Sequence, residues 1–105
     1  MISEAEIEKA VNWLAQSAVP AAQARANREY LSEYRKTLKA QLMRAKGDLP
    51  LAAQEREAYA DQQYVAHLEA LRDAIEADEK YRWLQSAAET KCSAWQTQQR
   101  SLRTN

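Results

Sequence analysis

The chain has 105 residues and a formal net charge of zero, because fifteen basic residues balance fifteen acidic ones. One glycine, two prolines, no phenylalanine and a single cysteine argue against a strand-rich fold and exclude an intramolecular disulfide framework. The length allows one domain at most. Alanine is the commonest residue, followed by Glu, Gln, Lys, Arg and Leu, and this composition predicts an almost entirely helical chain.

The N-terminal part of the chain carries the signals of two consecutive helices. Ser3 followed by Glu6 fits a capping box that opens a first helix over residues 4–18. Pro20 interrupts this helix, because proline removes a hydrogen-bond donor and crowds the preceding turn. It marks either a helix start or a kink. A second helix is then predicted over residues 21–46.

The clearest turn signal lies at residues 47–50, where Gly47 suits a helix C-cap and a proline suits the start of the next element. A short helix is predicted over residues 51–60. Asp61 is the expected N-cap of a long final helix over residues 62–102.

The long final helix has two apolar stripes when successive residues are placed about 100° apart. The first stripe contains Tyr64, Leu68, Leu71 and Ile75. The second, rotated by about a third of a turn, contains Tyr81, Leu84, Ala88, Cys92, Trp95 and Leu102. A fold-back at 47–50 places the change of stripe, at 76–80, opposite Pro20. We therefore expect an all-α, kinked, coiled-coil-like antiparallel hairpin of long helices, forming one domain over residues 1–105.

Such a hairpin buries only one seam, and small domains are marginally stable even with a full core. Trp13 and Trp83 lie off the main stripes and would remain partly exposed on an isolated hairpin, which is typical of interface residues. We predict a homo-oligomer. Its candidate interface residues are Trp13, Trp83, Tyr81, Leu84 and Trp95.

Charge is segregated along the chain. Residues 21–47 carry seven basic and two acidic groups, residues 48–79 carry nine acidic and two basic groups, and residues 80–105 carry five basic groups and one acidic group. Segregation of this kind favours either a polyanion-binding face or two helices that pair with each other.

Helical-wheel positions indicate pairing for one part of the basic helix. A fold-back about residue 48 brings Arg28 near Glu69 and Arg25 near Asp73, so these cations are expected to form ion pairs that set the orientation and register of the hairpin.

Nearer the turn, the acidic groups surround a broken helix, and two interpretations stay open: ion pairing or a basic patch facing solvent. The candidate nucleic-acid-binding residues there are Arg35, Lys39, Arg44 and Lys46. Arg100 and Arg103 in the C-terminal tail are either cations suited to a helix C-terminus or a polyanion contact.

The sequence carries no recognisable catalytic pattern. His67 is the only histidine, no serine or cysteine is spaced to use it as a base, and we interpret it as a boundary residue of the core. Cys92 occupies a helical core position. No enzyme activity, metal, cofactor or membrane-spanning segment is expected.

Three stretches carry a family resemblance: residues 25–31, residues 34–39, and residues 54–60 with the Tyr64, Leu68 and Trp95 regions that follow. They resemble small helical proteins of tailed phages, which are encoded among recombination and single-strand-binding genes. The shape of those proteins is similar to that of the UvsY recombination mediators, which are helical and oligomeric and load a RecA-like recombinase onto single-stranded DNA. The resemblance implies DNA contacts at Arg35, Lys39, Arg44 and Lys46.

Two functional hypotheses follow from the sequence. The first is a phage-type recombination accessory protein that contacts single-stranded DNA weakly and binds a recombinase or a single-strand-binding protein, in the cytoplasm of the host cell. The alternative is a non-enzymatic helical protein–protein interaction module, an adaptor or an inhibitor, with no nucleic-acid role.

Overall fold

The computed structural model describes residues 1–104 and contains three α-helices, α1 over Glu4–Ala45, α2 over Leu51–Ala60 and α3 over Gln62–Thr104. No strand occurs in this part of the chain. The long helices pack as a hairpin, which confirms the predicted all-α class. The packing divides the chain into two compact units: unit 1 combines Met1–Gln23 with the chain from Glu79 onward, and unit 2 is Ala24–Asp78.

The starts of the long helices agree with the sequence signals. The Ser3 hydroxyl accepts the backbone N–H of Glu6 at 3.2 Å, and the Asp61 carboxylate accepts the backbone N–H of Gln63 at 2.8 Å. Each side chain satisfies a donor that the first helical turn leaves without a backbone partner. The helix predicted over 51–60 coincides with α2.

The predicted helix boundary at Pro20 is wrong, because α1 stays helical through this proline. A proline inside a helix removes one backbone hydrogen bond and costs about 3 kcal/mol. Pro20 and Ala21 are half-buried, and Ser17, one turn earlier, is buried with its hydroxyl donating to the Leu14 carbonyl at 3.3 Å. Packing of these side chains offsets the lost hydrogen bond. Helix-breaking rules applied to the sequence do not take such packing into account.

Gly47 does not form the left-handed C-cap that a glycine at this position suggests, since the structure contains no positive-φ glycine. The chain leaves α1 through tight turns, in which Gly47 N–H donates to the Arg44 carbonyl at 3.2 Å and Leu49 N–H to the Lys46 carbonyl at 2.9 Å. A Cβ atom at position 47 would lie 3.2 Å from that same Arg44 oxygen. The glycine is therefore favoured by a close backbone approach.

The core of unit 2 lies where α2 meets the two long helices. Leu38, Leu42, Ala58 and Tyr64 are buried there, with Tyr34 and Met43 packed against them. The rings of Tyr59 and Tyr64 meet edge to face, with centroids 5.2 Å apart. Leu38 and Leu42 are the two buried side chains that α1 contributes to this core.

Most of the buried and half-buried positions of α3 follow one continuous spacing of alternating three and four residues, and only Glu79 and Gln98, also half-buried, lie outside it. The positions that follow the spacing are Tyr64, His67, Leu71, Ala74, Asp78, Tyr81, Gln85, Ala88, Cys92, Trp95 and Gln99. This is the a/d pattern of a heptad repeat, so the predicted change of stripe at 76–80 is wrong. On a helical wheel drawn at about 100° per residue, a strict heptad repeat shifts by about 20° with each repeat. Over several repeats this gradual shift resembles a change of the apolar face.

The seam differs from the predicted stripes in its residue types as well. Leu68 and Ile75 are 40% and 37% exposed, and Leu84 and Leu102 are also exposed, although all four were expected inside. Polar side chains replace them in the seam. Asp78 is 3% exposed, and the ring of His67 lies with Nε2 2.7 Å from the Leu31 carbonyl oxygen.

An ion pair within the seam joins α1 to α3 in unit 2. Arg28 Nη1 lies 3.0 Å from Asp78 Oδ2, and the Arg28 side chain is 32% exposed. The predicted pairing of Arg28 with Glu69 and of Arg25 with Asp73 is wrong, because Arg25 bonds Glu29 on its own helix at 3.3 Å. The basic helix does pair with the acidic one, as expected, but through the carboxylate at a seam position.

In unit 1, the N-terminus of α1 is held by a side chain from the far end of α3. The Gln98 amide accepts the Ile2 backbone N–H at 3.1 Å and donates to the Ile2 carbonyl at 3.0 Å. The Gln98 side chain thus satisfies both polar groups of one backbone residue, which fixes the antiparallel register of this unit.

Candidate interaction surfaces

The four turn-proximal cations predicted to contact nucleic acid do not form one patch. Arg35, Arg44 and Lys46 are exposed, and no ion pair joins them to any residue in 1–104. Arg44 lies nine positions after Arg35, about half a turn round the helix, and Lys46 lies about 17 Å from Arg35 along the axis. Arg35 and Lys46 are too far apart, and Arg44 lies on another side of the helix, so the three cations give only a weak attraction for a polyanion.

Lys39, the fourth of these cations, is paired within unit 2. Its Nζ atom donates to Glu55 Oε1 at 2.9 Å and lies 4.5 Å from the centroid of the Tyr59 ring. The pKa of Lys39 is raised above its ordinary value of 10.5 by the Tyr59 side chain and then by Glu55. The ammonium group therefore helps to hold α2 against α1, and its charge is already partnered.

The C-terminal part of α3 brings together three residues named from the sequence. Trp95, Arg100 and Arg103 line a surface groove of about 490 Å³ together with Gln96 and Gln99. Trp95 is half-buried, and its indole Nε1 has no hydrogen-bond partner among the described residues. Two exposed guanidinium groups beside an aromatic ring can contact a phosphate and a base.

A second groove, the Trp13 groove, lies between α1 and α3 in unit 1 and has a volume of about 410 Å³. Its apolar lining consists of Ala10, Trp13, Leu84, Ala87 and Ala88. Its charged lining residues are Glu6, Lys9 and Lys91. Two residues predicted for an interface, Trp13 and Leu84, therefore share one concave surface.

Trp83 comes immediately before Leu84, the first residue of α3 that lines this groove. Its side chain is 72% exposed, the largest exposure of any aromatic side chain in residues 1–104. Tyr81, also predicted for the interface, is instead half-buried at a seam position. An indole that is mostly in water exposes apolar area that soluble proteins usually bury at a contact. Trp83 and the Trp13 groove together form the main candidate interaction surface.

The side of α3 that faces away from the seam differs between the two units. In unit 2 its exposed positions include Glu69, Arg72, Asp73 and Glu76, as expected for a helix surface in water. In unit 1 the corresponding positions between residues 83 and 97 carry no charge. They form the uncharged face, which consists of Trp83, Ser86, Ala87, Thr90, Ser93, Ala94 and Thr97.

Two structurally important side chains, Asp78 and Gln98, escape a reading of the sequence by hydrophobicity, although each bonds across the hairpin. His67 is half-buried and contacts the Leu31 carbonyl, in agreement with its interpretation as a boundary residue of the core. The heptad register would have placed Asp78 and His67 at a and d positions. No signal in the sequence distinguishes Gln98 from its glutamine neighbours.

Two further observations concern membranes and metals. None of the helices described for residues 1–104 is long and apolar enough to cross a bilayer. The same residues contain no group of three or more His, Cys, Asp or Glu side chains placed to hold a metal ion. Cys92 is half-buried at a seam position, in agreement with its expected place in the helical core.

Comparison of the chain with protein-family models, with curated proteins and with solved structures gives no match. The phage recombination resemblance therefore stays a prediction from the sequence, and the functional argument depends on the surfaces described above.

Proposed function

We propose that this protein is a non-enzymatic helical interaction module that binds a protein partner through Trp83 and the Trp13 groove. The observation that carries the proposal is the exposure of Trp83, at 72%, beside an apolar groove in the same unit. A buried aromatic anchor surrounded by contacts that exclude water is the usual centre of a protein interface.

Site-specific photocrosslinking in the native cell tests this proposal. A photoreactive aromatic amino acid at position 83, which keeps a ring at the anchor position, should give discrete protein adducts, and these should weaken when Ala87→Glu introduces a charge into the groove. The matched control places the same photoreactive residue at Leu51, which is 71% exposed in unit 2. Equal labelling from both positions, or no adduct from position 83, would exclude this function.

A second candidate function, weak binding of single-stranded DNA, is favoured by the cluster of Trp95, Arg100 and Arg103. It keeps the recombination-accessory hypothesis open, with a recombinase or single-strand-binding protein as partner and the host cytoplasm as its location. Fluorescence anisotropy with a labelled oligonucleotide should show binding that weakens steeply with salt. Arg100→Ala with Arg103→Ala should weaken it more than Arg35→Ala with Lys46→Ala does. No binding at low salt would remove this candidate.

A further inference from the structure

Resting on the proposed function, we infer that the partner at the Trp13 groove is a second copy of this chain, with Trp83 of each copy inserted into the groove of the other. The groove and the exposed indole lie side by side on one unit. A surface that carries both a protruding side chain and a cavity can pair with itself about a two-fold axis, so that each contact is made twice.

The lining of the groove suits an indole ring. Its walls are alanines, Leu84 and the ring of Trp13, which can pack against another aromatic side chain. The ammonium groups of Lys9 and Lys91 lie in the lining, where a cation interacts favourably with the face of a tryptophan. The Glu6 carboxylate supplies an acceptor for the indole N–H, so each part of the occupant has a suitable contact.

The uncharged face of α3 allows two helices to approach each other at this surface. Small side chains at Ser86, Ala87 and Thr90 surround Trp83 within two helical turns. The corresponding side of α3 in unit 2 is charged and would resist burial. The contact is therefore confined to unit 1.

The area available limits the size of the dimer interface. Each tryptophan buries about 150–250 Å², so two side chains and the two grooves that receive them bury roughly 600–1,000 Å² in total. Stable interfaces bury about 1,200–2,000 Å². We therefore expect a reversible dimer whose population depends on concentration.

Sedimentation equilibrium of the full chain over a wide concentration range tests the inference. The wild type should show a monomer–dimer equilibrium, and Trp83→Ala should weaken it by about 30-fold or more, the effect of losing an interface hot spot. Ala87→Glu should have the same effect by filling the groove with a charge, and helix content measured by circular dichroism should be unchanged in both variants. Leu51→Ala, the control that removes an equally exposed side chain, should dimerise like the wild type.

A second measurement uses the position of the tryptophans, since all three lie in unit 1. Acrylamide quenching of tryptophan fluorescence should decrease as the wild type is concentrated, because dimerisation shields Trp83, and this concentration dependence should vanish in Trp83→Ala. A wild type that stays monomeric, or a Trp83→Ala variant that dimerises normally, overturns the inference. A photocrosslink from position 83 to a different protein would in that case leave the proposed function standing.

Discussion

The ion pair between Arg28 and Asp78 makes the sharpest prediction about stability. Removing one partner of a buried pair typically costs about 3–5 kcal/mol, because the other charge stays in a poorly solvated site. The Asp78 side chain is only 5% exposed, whereas that of Arg28 is 32% exposed and reaches water. Arg28→Met should therefore cost about 3 kcal/mol, and Asp78→Ala less, about 2 kcal/mol.

The double variant Arg28→Met with Asp78→Ala should cost only about 1 kcal/mol, since apolar replacements of buried ion pairs are often nearly neutral. Urea unfolding followed by circular dichroism measures each free energy of unfolding. Tryptophan fluorescence in the same titration reports on unit 1 alone, and so shows whether the two units unfold together.

The matched control is Arg25→Met, which removes an arginine from an exposed pair with Glu29 one turn away and should cost less than about 0.5 kcal/mol. Two results would refute the reasoning. One is a loss in Arg28→Met no larger than in Arg25→Met. The other is a double variant that loses the sum of the single effects.

Three further predictions concern the region around α2. The raised pKa of Lys39 means that its stabilising contact is complete at neutral pH and is lost as pH rises through the folded pKa. The difference in unfolding free energy between wild type and Lys39→Met should therefore shrink above about pH 10.5, and a constant difference would contradict this. Gly47→Ala needs no change of φ, but the added Cβ would lie 3.2 Å from the Arg44 carbonyl oxygen, so urea unfolding should show a loss of up to about 1 kcal/mol; a gain in stability would show that this close approach does not favour glycine. Asp61→Ala should cost about 1 kcal/mol by removing the cap on Gln63, measured by thermal unfolding, and an unchanged midpoint would argue against the cap.

The local elements were predictable because their signals are local. The helix start at Ser3, the short helix over 51–60 and the cap at Asp61 each depend on a few neighbouring residues and their backbone geometry. The predicted helix interruption at Pro20 was wrong because it depended on more than the neighbouring residues. The cost of one lost backbone hydrogen bond is local, but the packing that offsets it comes from the surrounding structure.

The candidate surfaces were only partly predictable. Trp13 and Trp83 were named because large apolar residues off the core stripes need cover, and Leu84 was named as part of the same interface. The structure leaves Trp83 in water beside the groove that Trp13 and Leu84 line. The four turn-proximal cations do not lie together in the structure. Lys39 forms an ion pair with Glu55, which depends on how α2 packs against α1. Arg44 lies about half a turn round the helix from Arg35.

Local sequence patterns were enough to predict the helical class, the reversal near residue 48 and the pairing of the basic helix with the acidic one, because propensity, turn chemistry and net charge are properties of short segments. The residues buried in the seam depended on the packing of the two long helices. Which residues are buried depends on the register of two helices, and a seam with a strict heptad spacing accepts Asp78 and His67 wherever a partner across it satisfies their polar groups. Ranking side chains by hydrophobicity could not select a carboxylate as the residue that joins the helices.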